Sequence, residues 1–291
     1  MNTNTSSAWK IMWREIYHDK FALIGLILFV AIVATVYIWA LFIDPVEAGV
    51  VNLRTMRQSP AESEFLLGTD SAGRPMLQQL ILSARNSFSI AFLVTIGGAL
   101  MGITFGLFAG FYGGHVDNVL MRLMNFYTMI PTMMIIIVFI VLIPNYSVIT
   151  FSMLMIGLFS WLSSASLIRI KALQQGRMDY VSASKTLGTP NIVIIFREVL
   201  PNLVSIIVSS ITLSLAANMG IETGLTFLGF GLPFGTPSLG RLVFYARTPA
   251  NLTGRLWLWL PAALLIIVMM LSINFVGQAL NRAADAKKRS I

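Results

Sequence analysis

Long apolar runs without a charged side chain constrain the fold of this chain more than any other feature. Residues 21–43 and residues 87–112 contain no Asp, Glu, Lys or Arg. A helix needs about 20 such residues to cross a hydrocarbon core of about 30 Å. Over the whole chain 56% of residues are hydrophobic and 11% are charged, whereas soluble domains carry about 25% charged residues. The sequence therefore predicts an all-α integral membrane protein.

Six apolar blocks separated by polar stretches predict six transmembrane helices. The third block contains Pro131, which removes one backbone hydrogen bond and predicts a kink. The fifth block is too long for one straight span, so we expect a break near residues 216–220 or at Gly224. The six blocks comprise residues 21–43, 87–112, 119–143, 148–168, 203–231 and 257–276.

The distribution of positive charge predicts which polar segments face the cytoplasm. Residues 1–20 place Trp9, Trp13 and Tyr17 on one helical face, which predicts a helix lying at the membrane interface. Most of the 20 Lys and Arg residues fall in segments that the topology assigns to the inside. We therefore expect a multi-pass plasma-membrane protein with both termini in the cytoplasm. The polar segments are a cytoplasmic helix at 1–20, an extracellular loop at 44–86, a cytoplasmic loop at 169–202 and a basic cytoplasmic tail at 281–291.

The residue types present exclude several kinds of site. The chain has no cysteine and two histidines, so it lacks disulfides and thiolate metal sites and is poorly supplied for other metal sites. It has no GxxxxGK[ST] motif for binding phosphates. We expect no catalytic residue, no metal and no cofactor on this chain. The net charge of +8 reflects the positive-inside rule rather than a nucleic-acid partner.

Two features inside the apolar blocks are candidates for special roles. Gly98, Gly102, Gly106 and Gly110 recur every four residues, which places them on one helix face and predicts close packing against another helix. Glu222 is the only acid inside an apolar block, and a buried carboxylate must face protein or water. Two interpretations of Glu222 stay open. It belongs to a transport pathway together with Asn218, or it lies near the outer end and is satisfied by Asn218 or by loop backbone.

The cytoplasmic loop at 169–202 is much longer than a connector, since antiparallel helices join in about 2–8 residues. Residues 180–187 have helical composition, and Gly188 with Pro190 predicts the end of that helix. Residues 190–200 predict a second helix ended by Pro201, with one buried face formed by Ile192, Ile195, Phe196 and Val199. An ordered loop of this length indicates docking to a partner.

Two motifs in this loop carry a resemblance to a known family. Residues 180–188 (YVSASKTLG) and 195–202 (IFREVLPN) resemble the EAA loop of ABC importer permeases, specifically the second permease of the dipeptide and oligopeptide class. Further matches occur in the same order, and the resemblance covers residues 15–285. They are LGTDSAGR at 67–74, GFYGGHVD at 110–117, ETGLTFLGFG at 222–231 with PSLG at 237–240, and NFVG at 274–277.

The resemblance implies a type I ABC importer permease fold, with residues 87–280 as the permease core. It also implies a second homologous permease, two cytoplasmic ATPases that bind ATP and Mg²⁺, and an extracellular peptide-binding protein. The loop departs from the family pattern at Ser182, Ser184 and Glu198, which stand in place of the family's glutamate, alanine and histidine. A further departure is Gln278, where the family often has an acid. The residues implied to couple to an ATPase are Tyr180, Ser182, Ala183, Ser184, Lys185, Leu187 and Gly188.

Other functions remain as alternatives. A stand-alone secondary transporter would usually show internal repeats and paired intramembrane charges, and the sequence shows one intramembrane acid and no clear repeat. A membrane scaffold would need no kinked or broken spans. A membrane enzyme would need a cluster of reactive side chains, which the spans lack. Within the family, a permease for a nickel chelate is the alternative to a peptide permease.

Overall fold

The computed structural model describes residues 5–143, 146–233 and 235–289, and it is helical almost throughout. Side chains are described from Met12 to Ala284, except at the gaps. The predicted turn at residues 144–145 and the last two residues of the tail lie outside the described residues. The helices are α1 Thr5–His18, α2 Lys20–Ala40, α3 Met76–Tyr112, α4 Gly114–Met129, α5 Thr132–Leu142, α6 Val148–Met155, α7 Trp161–Gln175, α8 Asp179–Thr186, α9 Asn191–Ile194, α10 Leu200–Leu228, α11 Leu239–Phe244, α12 Pro249–Gly254 and α13 Leu260–Arg289.

Five helical segments are long and apolar enough to cross a membrane, and the number is six if a bent pair of helices counts as one span. The pair is α4 and α5, which meet at an angle of 78° around Pro131. This bend confirms the kink that the proline predicts. The five other spans are Lys20–Ala40, Met76–Tyr112, Val148–Gln175, Asn191–Leu228 and Leu260–Ala284.

Two helices contain a π turn that joins their halves. A π turn at Ile156–Ser160 connects α6 to α7, and another at Ile195–Val199 connects α9 to α10. Pro201 therefore does not end a helix, although the sequence predicts a stop there. Its ring would clash with the carbonyl four residues earlier in a regular helix. We attribute its tolerance to the wider π turn directly before it, since π turns occur as local insertions within α-helices.

The fifth predicted span is one unbroken helix, so the break expected near residues 216–224 is wrong. Helix α10 runs over 29 residues and packs between α3 and α13. Gly220 and Gly224 lie inside it, and it ends at Gly229, whose φ is 95°. Glycines would weaken this helix if it were isolated, but its packing against α3 and α13 stabilises it.

Helix α3 begins at Met76 rather than near Ser87, where the sequence predicts the span to start. The additional turns are polar in sequence but buried under the preceding loop. Gln79 is 3% exposed, and its Nε2 donates to the carbonyl oxygen of Ala48 at 2.8 Å. The helix therefore extends beyond the apolar run, where the loop satisfies the buried amide of Gln79.

The glycine stripe of α3 lies against α7. A Cβ at Gly102 would stand 2.8 Å from the carbonyl oxygen of Trp161, and one at Gly106 would stand 2.6 Å from that of Ala165. Gly98 and Gly110 make the same close approach to Ser160 and Arg169. The two backbones are therefore near enough that no other side chain fits between them.

The N-terminal helix packs along the C-terminal end of α13. Met12 and Ile16 of α1 are buried against Ala279 and Ala283 of α13. On the other face Trp13 is 49% exposed and Tyr17 is 64% exposed. This two-sided pattern agrees with the helix predicted at the interface. The side chain of Trp9 lies outside the described residues.

Candidate functional site

A cavity of about 650 Å³ opens between α5, the α6–α7 segment, α10 and the end of α13. One wall is a face of α10 on which lining residues recur every three or four positions. The opposite wall is the matching face of the α6–α7 segment. The polar side chains that line the cavity are Thr132, Ser160, Ser163, Lys171, Ser209, Ser210, Ser214, Asn218 and Asn281.

The side chains that line this cavity are mostly uncharged. Its hydroxyl and amide groups both donate and accept hydrogen bonds, and they alternate with apolar side chains such as Ile136 and Phe159. The one charged lining residue is Lys171, at the end of the cavity that also contains Asn281. Such a surface suits a polar, uncharged chain whose hydrogen-bonding groups repeat along its length.

The structure separates the two residues that the sequence nominates for a pathway. Asn218 lines the cavity, and its Nδ2 donates to Oγ1 of Thr95 at 2.9 Å. Glu222 is 0% exposed and is not among the residues that line the cavity. One helical turn apart, the two side chains point to different neighbours.

Glu222 sits instead in a buried network of hydroxyl groups. Its Oε1 accepts from Oγ1 of Thr226 at 3.1 Å, and Oε2 accepts from Thr223 at 3.4 Å. Ser87 of α3 lies beside this carboxylate, and the Ser87 hydroxyl accepts the backbone N–H of Leu239 at 3.1 Å. The carboxylate therefore joins α10 to α3 and to the start of α11. Neither Asn218 nor loop backbone satisfies it.

The loop predicted at residues 169–202 contains a short helix, α8, that packs on a buried cluster. Val181 of α8 is fully buried in a cluster with Ala172 and Ile194. The hydroxyl of Tyr180 donates to Oε1 of Gln175 at 2.7 Å, and the hydroxyl of Ser184 donates to Oε1 of Glu198 at 2.7 Å. These bonds fix α8 to the helices before and after it.

The outward side of α8 is solvent-exposed. Ser182, Ala183 and Lys185 are exposed, and Leu187 is 85% exposed. Nζ of Lys185 lies 4.8 Å from the ring centre of Phe111. The chain then turns at Gly188, whose φ of 80° favours glycine and whose Cβ position is open.

The second half of the loop differs from its prediction. No separate helix forms, because α9 continues through the π turn into α10. Ile195 and Val199 are buried as predicted, but Ile192 is 45% exposed and Phe196 is 50% exposed. The segment has apolar residues on both faces, and the sequence alone did not show which pair faces inward. Ile192, Phe196 and Leu187 together leave exposed apolar surface beside α8.

Glu198 and Tyr180 form a small polar group beneath this surface. Oε2 of Glu198 is buried and has no hydrogen-bond partner. Burial raises the pKa of the Tyr180 hydroxyl. A hydrogen bond from Asn202 lowers this pKa, and the negative charge of Glu198 raises it, so the net shift is upward. Tyr180 therefore stays protonated and able to donate to Gln175.

A second polar region lies at the opposite end of the bundle, in the loop before α3. Asp70 is fully buried and accepts the backbone N–H groups of Ala72 and Arg74 at 2.8 and 2.9 Å. Its other oxygen pairs with the Arg74 guanidinium at 2.6 Å. Burial lowers the pKa of the Arg74 guanidinium, but the bond to Asp70 raises it, and the net shift is upward. The loop is an ordered structure rather than a flexible connector.

The sequence matches a family whose members share this architecture. A profile described as binding-protein-dependent transport system inner membrane component matches residues 102–290, which include both cavity walls and α8. The chain belongs to this family. Within the part of the chain that the structure describes, no group of three or more His, Cys, Asp or Glu residues could hold a metal ion.

Related proteins cover nearly the whole chain. It is 42% identical to the oligopeptide transport system permease protein OppC of Lactococcus lactis subsp. cremoris (strain SK11), over 94% of this chain and 93% of the relative. It is 32% identical to AmiD of Streptococcus pneumoniae (strain ATCC BAA-255 / R6), also named an oligopeptide permease, over 97% of this chain and 90% of that one. The family that the resemblance indicates is thereby confirmed.

A solved structure shows the same fold. A chain of the MetNI methionine ABC transporter, in an inward facing conformation, matches with a TM-score of 0.54 at 18% identity. The match covers 72% of this chain and 98% of that one. The predicted type I ABC importer permease fold is confirmed.

Proposed function

We propose that this chain is one of two homologous membrane subunits of an ATP-driven peptide importer, and that it forms half of the translocation pathway. The observation that carries the proposal is the continuity between cavity and loop. The two helical segments that form the cavity walls, Val148–Gln175 and Asn191–Leu228, are also the segments that flank α8. A force on α8 would therefore reach both walls directly.

The partners follow from the same arrangement. The exposed side of α8, with Leu187, Ile192 and Phe196 around it, presents apolar surface in water, as docking surfaces do. Two cytoplasmic ATPases would bind ATP and Mg²⁺, and one of them would bind this surface in a cleft. An extracellular peptide-binding protein would deliver substrate at the opposite end. This assignment places both termini in the cytoplasm and the protein in the plasma membrane.

Peptide is the substrate that the cavity supports best. Serine hydroxyls and asparagine amides bond to backbone N–H and C=O groups, which every peptide carries whatever its side chains. The lining contains no histidine, which is a common ligand for nickel. The relatives named as oligopeptide permeases agree with this choice. A nickel chelate is the second candidate and serves as the competing substrate in uptake assays.

The test is Gly188→Leu, which places a bulky side chain at a positive φ on the docking surface. We expect peptide uptake to fall to background while the protein still inserts, because the turn after α8 changes shape. Gly254→Leu is the matched control, since its Cβ position is also open and it lies at the other end of the bundle. Uptake is measured with a radiolabelled tripeptide. Normal uptake by Gly188→Leu, with the ATPases still bound, would contradict the coupling role.

A further inference from the structure

Three arginines converge on two adjoining cavities at the end of the bundle opposite α8. The smaller cavity, of about 50 Å³, is lined by Arg74 and Arg241, and the larger, of about 290 Å³, by Arg74 and Arg85. Both also share Gln79 and the segment at residues 235–237. No aspartate or glutamate is among the residues that line either one.

The smaller cavity contains a polar atom without a partner. Ser83 of α3 is 0% exposed, and its hydroxyl makes no hydrogen bond. A buried hydroxyl left unsatisfied costs about 1–3 kcal/mol. Because Ser83 lines the cavity, an oxygen atom placed there would accept a hydrogen bond from the Ser83 hydroxyl.

The walls of this site are held from several sides. Nδ2 of Asn86 donates to the carbonyl oxygen of Pro237 at 2.8 Å, and the backbone N–H of Arg241 donates to Oγ of Ser238 at 3.3 Å. Gln79 is bonded to Ala48 of the preceding loop. The loop before α3, α3 itself and the segment around the start of α11 therefore form one ordered pocket.

The electrostatics favour a negative occupant. Burial lowers the pKa of the Arg241 guanidinium, and the charge of Arg74 acts in the same direction. Asp70 pairs with Arg74, and neither cavity is lined by an acidic side chain. An added anion would lessen the repulsion between Arg74 and Arg241, and arginines bind carboxylates with paired hydrogen bonds.

We propose that this pocket binds a carboxylate carried on a polypeptide, through Arg241 and the Ser83 hydroxyl in the smaller cavity and through Arg85, which approaches it from the adjoining larger cavity. A cavity of 50 Å³ has room for a carboxylate group, given that a water occupies about 30 Å³ of liquid. The larger cavity binds the polypeptide segment that carries this carboxylate. The proposal rests on the proposed function, because that function brings polypeptides to this end of the bundle. The carboxylate belongs either to the C-terminus of the transported peptide or to an acidic side chain of the delivering protein.

The experiment compares Arg241→Gln, Arg85→Gln and Ser83→Ala with the wild type in the complete transporter, reconstituted in liposomes. Arg54→Gln is the control, since Arg54 is an exposed arginine of the same outer loop and does not line either cavity. The substrates are trialanine and trialanine amide, which differ only in the terminal carboxylate. Peptide uptake and ATPase stimulation are measured against the concentration of the delivering protein.

Two results support the site and identify the source of its carboxylate. If the peptide supplies it, the arginine variants raise the KM for trialanine about tenfold, toward that for the amide, as loss of a charged hydrogen bond predicts. If the delivering protein supplies it, the variants raise the half-saturating concentration of that protein about tenfold for both substrates alike. In either case the salt dependence of the affected constant becomes weaker, and Ser83→Ala has a smaller effect in the same direction.

Unchanged constants in Arg85→Gln and Ser83→Ala, with uptake by the wild type intact, would overturn the site and leave the proposed function standing. An absence of uptake by the wild type would instead contradict the proposed function. If Arg241→Gln fails to insert, Arg85→Gln still decides, because its side chain bonds only to the neighbouring Asn86 among the contacts described.

Discussion

At the scale of single residues, the carboxylates of Glu222, which is buried, and Glu198, which is half-buried, show how different surroundings separate similar groups. Glu222 is enclosed by hydroxyls that all point toward it. Glu198 has one oxygen bonded to Ser184 and the other buried without a partner. The first is a satisfied link between helices, and the second leaves an acceptor unused beneath the docking surface.

Replacing each carboxylate by an amide should therefore have unequal consequences. Glu222→Gln turns one acceptor into a donor within a network of hydroxyls, so we expect a loss of stability of about 1–3 kcal/mol. Glu198→Gln removes only an unused acceptor and should lower stability less. The measurement is the thermal unfolding midpoint of the purified chain in detergent, with uptake assayed in parallel. Negligible effects of both changes would remove Glu222 from the structural network and from the pathway.

Gly188 was predictable because one local rule decides its conformation. A glycine followed closely by a proline after a helical stretch indicates a helix end, and α8 ends at Thr186 with Gly188 at a φ of 80°. Glu222 was harder to place. Its partners Thr223 and Thr226 are close in sequence, but Ser87, which also lies beside the carboxylate, belongs to α3 and is far away in sequence. Local patterns determine the backbone of a turn, but only the packed structure shows which side chains meet.

At the scale of helices, the α3–α7 contact depends on the glycine stripe. We expect Gly106→Ala to destabilise the chain by about 1–3 kcal/mol, because the new methyl group would overlap the carbonyl of Ala165. Gly224→Ala is the matched control, since Gly224 is a helical glycine with open space around its Cβ position. There the change should be neutral or should stabilise the helix by up to about 1 kcal/mol. Thermal unfolding in detergent distinguishes the two, and equal midpoints would show that the helices can separate without cost.

The ends of a helix could be predicted from the sequence where hydropathy changes sharply. The predictions were wrong where a helix is surrounded by other parts of the protein instead of lipid. Hydropathy predicts a loop before Ser87, because it takes no account of the hydrogen bond from Gln79 to the carbonyl of Ala48. The break expected in α10 did not form because neighbouring helices stabilise its glycines. The periodicity of the α3 glycines was visible, but their partner α7 was not, since a spacing does not identify what packs against it.

At the scale of the whole molecule, the arrangement predicts that α8 and the outer loop lie on opposite sides of the membrane. The absence of native cysteine makes single-cysteine labelling a clean measurement. Leu187→Cys should react with an impermeant maleimide only in inside-out vesicles, and Leu53→Cys only in intact cells. Both leucines are exposed, at 85% and 73%, so their intrinsic accessibility is similar. Labelling of both from one side would contradict the topology and the proposed coupling.

The cavity gives the last prediction, since it should contain water that is continuous with the cytoplasm. Lys171 and Asn281 line its end nearest α8, and Ser210 and Ser163 lie farther along its two walls. Ser210→Cys and Ser163→Cys should therefore react with the impermeant maleimide from the cytoplasmic side. Ser152→Cys is the control, because Ser152 is 2% exposed and bonds to the backbone of its own helix. Trapping the ATPases in a nucleotide-bound state should suppress the first two reactions if closure on α8 moves the two walls together. Reaction that is insensitive to trapping would mean that the walls do not move with α8.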